Sequence, residues 1–563
     1  MDRLKGHAAA YEEDRQEESS RKPIDPLYAN NGRCRSAIAN ALNSGKVMSL
    51  MHLEPDVSVT WYLPDGYEPN LEPDYHHDES SEIADVVHQP EAYELVRYLL
   101  SATGRGMVID VGCGSGRKLR ELAAPRKMGI DYGANLAFCR THFPSSAEWV
   151  EANFSDAAAR LMANHANRDS IVICADVVEH MPDPTHLLAL LADSYRRGAI
   201  VITTTPDRIR VRGLNDRGPP ANTAHVREWA LQEYTKVMAD AGIPITFAGY
   251  TTNNDNAREL KTILTLSDPD CGSFAIPRNA SRPLAIIAAY NEDDILHEVI
   301  TDWLSQGCDV HLIDNWSTDS TWEIAQAHAL DNPARVTVER FPEAPQSTFA
   351  WIPLLHRKAD VAALFPGRWI IHSDADEIRR SPFPGVTMAD ALDLVTTTGA
   401  NRVDFRVVNF SPTDASRSEP GNVQHSLQRF RFGTRVGHLQ QSKAWMQGGQ
   451  RVDLASTGGH EARFDAASDF RYKFLLKHYP LRSSAHARRK VEQDRQGRRS
   501  PYEGDILNFH KQYDHLVAND FDLEAGAELI EWDKEGFWKD YGLLIMTDLI
   551  DSRVERGWMD AGQ

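Results

Sequence analysis

Between Val108 and Leu266, short runs of β-branched and other apolar residues alternate with stretches of helical spacing. The runs are "MVIDVGCG", "KMGIDY", "SIVICADV", "AIVITTTP" and "LKTILTL". Strands alternating with helices predict a parallel sheet covered on both faces, an α/β fold. The stretch "SDPDCGSFAIPRNASRP" at 267–283 breaks the pattern with Pro, Gly and Ser and marks a domain boundary. A second series follows in "LAIIAAYNE", "DVHLIDNWSTDST", "RVTVERF", "RWIIHSDADE" and "RVDFRVVNFSP". Past about residue 500 the pattern turns helical, and the first 30 or so residues are polar and acidic, which predicts disorder. A helix is expected over Ser36–Met51. The expected organisation is an extension (1–84), an α/β domain (85–266), a linker (267–283), a second α/β domain (284–500) and a helical C-terminal extension (501–563).

Length and charge sharpen this picture. A chain of 563 residues is too long for one core, and a composition 42% hydrophobic and 25% charged supports two. A net charge of −20 disfavours nucleic acid or an anionic membrane surface as main partner. The six cysteines are scattered without close pairs, which suggests reduced thiols in a cytoplasmic protein rather than disulfides or a zinc site. No apolar run approaches the roughly 20 residues of a membrane span, and the amino terminus lacks the apolar core of a signal peptide.

The first series carries glycines where a strand meets a helix: Gly112, Gly114 and Gly116 after Asp110. Such a turn lets a ligand approach the backbone. A bare glycine-rich turn would also suit a dinucleotide fold; its context is more specific. Asp131 ends the next strand 21 residues after Asp110, "VEANFSD" contains Asn153, and "IVICADVVEHMPDP" contains Asp176. Together these motifs resemble class I S-adenosylmethionine-dependent methyltransferases over about residues 85–266. The resemblance implies that Asp110 and the glycines hold the methionine part of S-adenosyl-L-methionine. It places Asp131 at the ribose and Asn153 near the adenine, with Asp176 closing the pocket. Methyl transfer needs positioning and a group to take the acceptor's proton, for which His180 and His225 are candidates. "RGLNDRGPPANTAHVREW" at 212–229 resembles the acceptor lid of small-molecule and sugar methyltransferases.

The second series resembles family 2-like glycosyltransferases of the GT-A fold, Rossmann-like nucleotide-sugar-binding domains. "LAIIAAYNEDD" matches their first strand, and "LIDNWSTDST" the next, usually Asp-Asp-Gly-Ser-Thr-Asp. Here the second Asp is Asn315 and the Gly is Trp316. "DAD" follows 60 residues after Asp314, in the position of the Asp-x-Asp signature. The resemblance implies a nucleotide-diphosphate sugar donor, UDP- or GDP-linked, held by Ala288, Tyr290, Asn291, Glu292, Asp314, Asn315, Asp374, Arg482 and Lys490. A leaving diphosphate gains charge as the glycosidic bond breaks, and oxygen ligands hold the divalent cation that offsets it. The metal set is expected to be Asp374, Asp376 and His478, with Mn2+ or Mg2+. His478 enters through "HYPLRS...K", which resembles a segment of related glycosyltransferases whose basic residues neutralise phosphate. The nearby Arg495, Arg498 and Arg499 are equally compatible with a solvated helix face. An inverting enzyme needs an acceptor base, for which Asp404, Glu461 and Asp469 are candidates; a retaining one needs none.

The resulting expectation is a bifunctional transferase acting on a glycan or glycoconjugate acceptor, with a homodimer as one candidate assembly. The alternatives are one active domain beside a binding or scaffold module, and a nucleotidyltransferase in the second half.

Overall fold

The first sheet takes the strand order β3-β2-β1-β4-β5-β7-β6. Its strands are β1 (Met107–Val111), β2 (Arg126–Asp131), β3 (Glu148–Glu151), β4 (Ser170–Ala175), β5 (Ile200–Pro206), β6 (Phe247–Thr251) and β7 (Thr262–Ser267). The computed structural model describes residues 86–216, 218–271, 281–413, 422–434, 436–498, 502, 517, 529–534 and 536–559, all within one unit, Val59–Gln563. The helix expected over Ser36–Met51 lies outside these residues. Strands β3-β2-β1-β4-β5 are parallel, and β7 runs antiparallel to both β5 and β6. β1 is buried along its whole length because helices cover both faces, so it reads as an apolar run rather than as an alternation. The strand order, not the strand direction, reverses between β1 and β4, the switch point beside which open α/β sheets bind ligands.

The second half holds two sheets. One is ordered β10-β9-β8-β11-β16-β13 and contains β8 (Leu284–Ala289), β9 (Asp309–Asp314), β10 (Val336–Arg340), β11 (Trp369–Asp374), β13 (Arg402–Val403) and β16 (Ala444–Met446). The other is ordered β12-β17-β14-β15-β18, with β12 (Glu377–Arg380), β14 (Phe405–Ser411), β15 (Arg429–Phe432), β17 (Phe474–His478) and β18 (Ile530–Glu531). Between β11 and β12 the chain passes from one sheet to the other in only two residues, Ala375 and Asp376. That crossing positions the second site. Antiparallel β12 and β17 pair Glu377 with His478, and parallel β14 and β17 pair Asn409 with His478.

The C-terminal residues do not form an appendage. β18 extends the third sheet, and helices Phe537–Met546 and Leu549–Glu555 fold back onto the first domain. A Cβ on Gly542 would lie 2.5 Å from the Phe247 ring of β6, so glycine permits the close approach there. Arg553 pairs with buried Glu91, which also accepts from Thr251 and Thr252. Arg471 and Tyr472 of the second half both bond Asp268, just past β7. One apolar cluster runs through both halves, from Leu95, Ile171 and Phe247 to Ile287, Trp303, Phe405 and Leu544.

Candidate active sites

In the first domain the turn after β1 is shaped by crowding on one side and space on the other. Gly112 has φ +78°, and a Cβ there would come within 2.4 Å of Val177 Cγ2. Gly114, at φ +52°, has nothing within 4 Å of the place its Cβ would take. Its N–H donates to Asp131 Oδ2 at 2.8 Å, joining the glycine turn to the end of β2. Gly116 leads into the short helix Arg117–Glu121. Asp131 is buried, which raises its pKa, while the N–H groups of Tyr132 and Gly114 oppose that rise. Asp110 lies buried inside β1 and accepts from the Tyr93 hydroxyl at 3.0 Å. Asp176, just past β4, adopts φ +55° and accepts from Gln89 Nε2 at 2.9 Å. Its Oδ1 is buried without a protein partner. The open cradle at Gly114 and this unmatched oxygen fit a bound polar ligand at the switch point. Asn153 sits exposed in the turn after β3, where its Oδ1 accepts from Ser155 N.

His180 and His225 meet although 45 residues separate them. Their rings cross at 4.8 Å between centroids, and Glu179 packs beside them, fully buried. Burial and the neighbouring His225 push the His180 pKa down to about 4. Burial, reinforced by Asp176, raises that of Glu179.

In the second domain a cavity of about 440 Å³ opens at the C-terminal ends of β8 and β11. Ala288, Tyr290, Glu292, Asn315, Asp374, Asp376, His478 and Lys490 all line it. His478 Nδ1 donates to Asn409 Oδ1 at 2.8 Å, so its lone pair sits on Nε2, 3.8 Å from Asp376 Oδ1. One ion with bonds of about 2.1 Å spans that gap. Burial also lowers the His478 pKa, which keeps the ring neutral and able to ligate. Asp374 Oδ1 is buried without a hydrogen-bond partner. The donor set of two carboxylates and one imidazole therefore fits manganese or magnesium.

Cations crowd these carboxylates. Lys358 and Lys443 stand 3.6 and 3.8 Å from Asp374, and Lys490 Nζ bridges Asp376 Oδ2 (2.8 Å) and Glu292 Oε1 (2.9 Å). Burial alone would raise the carboxyl pKa values. Lys443 and Lys358 instead hold Asp374 well below the usual range, and Lys490 with His478 lowers Asp376. Glu292 falls to about 2, because Arg482 and Lys490 outweigh its burial.

Comparison with known proteins finds a separate match for each half. A "Methyltransferase domain" model matches residues 75–246, and a "Glycosyl transferase family 2" model matches residues 284–345. The chain is a fusion of a methyltransferase domain with a family 2 glycosyltransferase domain. The second match ends before Asp374. A ubiquinone biosynthesis O-methyltransferase from Aromatoleum aromaticum is 34% identical over 104 residues, 18% of this chain and 44% of that protein. A probable S-adenosylmethionine-dependent methyltransferase from Mycolicibacterium smegmatis is 29% identical over 141 residues, 24% of this chain and 52% of that one. The chain thus spans about half the length of these relatives. A solved SAM-dependent methyltransferase from Aquifex aeolicus aligns at 14% identity with a TM-score of 0.24, covering 31% of this chain and 88% of that one.

Several expectations for the glycosyltransferase domain need correction. Arg482 is fully buried and bonds Glu292, Asp294, His486 and the Tyr479 carbonyl, so it props the cavity wall rather than lining it. Asp314 and Asn291 also sit behind the wall: Arg340 bonds the first, and the second holds Thr318 and Asp494. The three base candidates stand outside the cavity, each held by its own partners. Asp404 accepts from Phe405 N, Gln441 N and Lys473; Glu461 pairs with Arg402 and Arg463; Arg402 clamps Asp469. None of the three lines the cavity.

Asp494 and Lys443 line it although sequence reasoning passed over them, and Lys490 and Arg495, both named from the sequence, line it too. A π-helix at Arg489–Arg495 turns Lys490, Asp494 and Arg495 toward the cavity, a bulge of a kind frequent at functional sites. Arg498 stacks 3.9 Å over the Tyr290 ring and donates to Asn315 Oδ1, so it is no mere solvated cation. Its only sequence signal was the basic cluster. Trp316 shows how a departure from the family pattern is absorbed. It keeps the left-handed φ of +60° that a glycine adopts freely, with its Nε1 bonded to Pro342 O and Arg340 over its ring.

Proposed function

We propose that the methyltransferase domain transfers a methyl group from S-adenosyl-L-methionine, most naturally to an oxygen acceptor. We infer that the glycosyltransferase domain uses a UDP- or GDP-linked sugar with manganese or magnesium, on a glycan or glycoconjugate. The observation that carries the second half is the meeting of Asp374, Asp376 and the Nε2 lone pair of His478 in one cavity. Those three residues would hold the ion, which supplies positive charge against a leaving diphosphate. Tyr290, Asn315 and Arg498 form a flat, polar end suited to a nucleotide base, and the Arg498–Tyr290 stack presets its plane. Lys490 and the deeper lysines keep the carboxylates ionised. An inverting mechanism would draw its base from the carboxylates lining the cavity, among which burial raises Asp494 toward a proton-accepting range.

In the methyltransferase domain, Gly114 leaves the backbone open to the cofactor, Asp131 offers a carboxylate to ribose hydroxyls, and Asp176 Oδ1 is an unused acceptor at the pocket edge. We assign His180 and His225 to the acceptor side, where they would orient the acceptor group. Free, buried thiols at Cys113, Cys139, Cys174, Cys271 and Cys308 support a reducing, cytoplasmic setting.

The test is nucleoside diphosphate release from a panel of UDP- and GDP-sugars by the full chain with manganese. Release should stop with chelator and in Asp376→Ala; undiminished release under chelator overturns the metal-dependent reading.

A further inference from the structure

At the turn just past β4 in the methyltransferase domain, Glu179, His180 and His225 each bring a ligand atom, and the three atoms lie within 4.8 Å of one another. The cluster is held in place by its own framework. The Glu179 carbonyl accepts from Val226 N at 2.6 Å, which fastens the segment carrying His225 to the turn carrying His180. Both rings are oriented through Nδ1: that of His180 donates to the Ala224 carbonyl at 2.9 Å, and that of His225 to Glu228 Oε1 at 2.9 Å. Arg212 fixes the other oxygen of Glu228 at 3.0 Å. These bonds leave Nε2 as the lone-pair atom of each imidazole, the arrangement in which histidine ligates metals. Asn222 Nδ2 donates to His225 Nε2 at 3.0 Å, but Asn222 is exposed and can turn away.

A second observation points to a cation. Glu179 is 0% exposed; Thr205 bonds its Oε2 at 3.0 Å, while Oε1 is buried with no protein partner. A bare carboxylate in such a place, beside Asp176, is costly unless a positive charge offsets it.

We propose that Glu179, His180 and His225 form a site for one divalent cation of the borderline kind, such as zinc, cobalt or manganese. Two imidazoles and a carboxylate suit these ions, and three protein ligands leave coordination positions open, as in catalytic rather than structural centres. The methyltransferase reading enters only in the site's purpose: an open position on the acceptor side is where an acceptor oxygen would bind. The histidines then act as ligands, not as proton acceptors.

Cobalt alone, followed by its visible absorption, is the probe. The full chain should carry Asp376→Asn and His478→Ala so that the glycosyltransferase cavity does not contribute. One equivalent of cobalt should bind with visible bands. Adding Glu179→Gln or, separately, His225→Asn should weaken binding by roughly 10- to 100-fold, with circular dichroism unchanged. Absence of a cobalt equivalent, or affinity indifferent to both substitutions, overturns the site. Calorimetry with S-adenosylhomocysteine on the same samples separates the two readings. Cobalt bound through Glu179 without any S-adenosylhomocysteine binding would keep the site and sink the methyltransferase reading.

Discussion

Removing the Lys490 ammonium by Lys490→Met tests the electrostatic design of the glycosyltransferase cavity. Its Nζ lies 2.8 Å from Asp376 Oδ2 and 2.9 Å from Glu292 Oε1, and the residue is 7% exposed. Breaking a buried ion pair on one side typically costs about 3–5 kcal/mol, since it strands the opposite charge. Here Glu292 keeps Arg482 and Asp376 keeps His478, so the cost should fall near the low end, about 3 kcal/mol. The same ammonium also repels any cation seated at Asp376. A divalent ion and a unit charge about 4 Å apart interact by about 8 kcal/mol at an effective dielectric of 20. Recovering about a sixth of that makes manganese bind about tenfold tighter in the absence of nucleotide. The variant should therefore lose stability in urea, and manganese should restore part of it by mass action. Urea titration with and without manganese, beside a manganese titration followed by electron paramagnetic resonance, measures both effects. A loss below about 1 kcal/mol with unchanged manganese affinity would refute the role given to Lys490.

Three further outcomes follow. Glu292 is depressed from its ordinary 4.5 to about 2, so its stabilisation is full above pH 4.5 and disappears as pH falls toward 2. At about 1.36 kcal/mol per pH unit this amounts to about 3 kcal/mol, and Glu292→Gln should flatten acid unfolding across that window. Gly114→Ala adds a methyl group to the open cradle at φ +52°, costing about 1–2 kcal/mol of backbone strain. It should weaken S-adenosylhomocysteine binding by calorimetry while leaving nucleotide binding unchanged. Arg553→Met strands Glu91 and should cost about 3–5 kcal/mol, with faster hydrogen exchange in helix Leu549–Glu555; unchanged exchange would remove that clamp.

What the sequence revealed was what a single strand can carry. β1, β4, β5, β7, β8 and β11 are runs buried almost throughout, so their apolar character is continuous and readable. β3, the pattern "EWVE", and β6, "FAGYT", are edge strands with mixed faces and gave no such signal. The Asp374–Asp376 stretch and His478 could be named because motifs and a charge contrast mark them, and the β12–β17 register then explains how they meet. Lys358 and Lys443 were invisible: one sits within helix Trp351–Ala363 and the other in a loop before β16, and only tertiary packing aims them at Asp374. That the base candidates stand outside the cavity was illegible for the converse reason. A carboxylate's partners, Arg402 for Asp469 and Lys473 for Asp404, lie far along the chain, and sequence alone does not show that a charge is already taken.

The central claim, two independent transferase sites in one chain, is tested most directly by calorimetry on the full-length protein. S-adenosylhomocysteine and, separately, UDP or GDP with manganese are titrated into wild type, Asp131→Ala and Asp376→Ala. The account predicts one S-adenosylhomocysteine and one nucleotide per chain, the first weakened only by Asp131→Ala and the second only by Asp376→Ala. A wild-type protein that binds neither nucleotide with manganese nor S-adenosylhomocysteine, or ligands that displace one another, would contradict it.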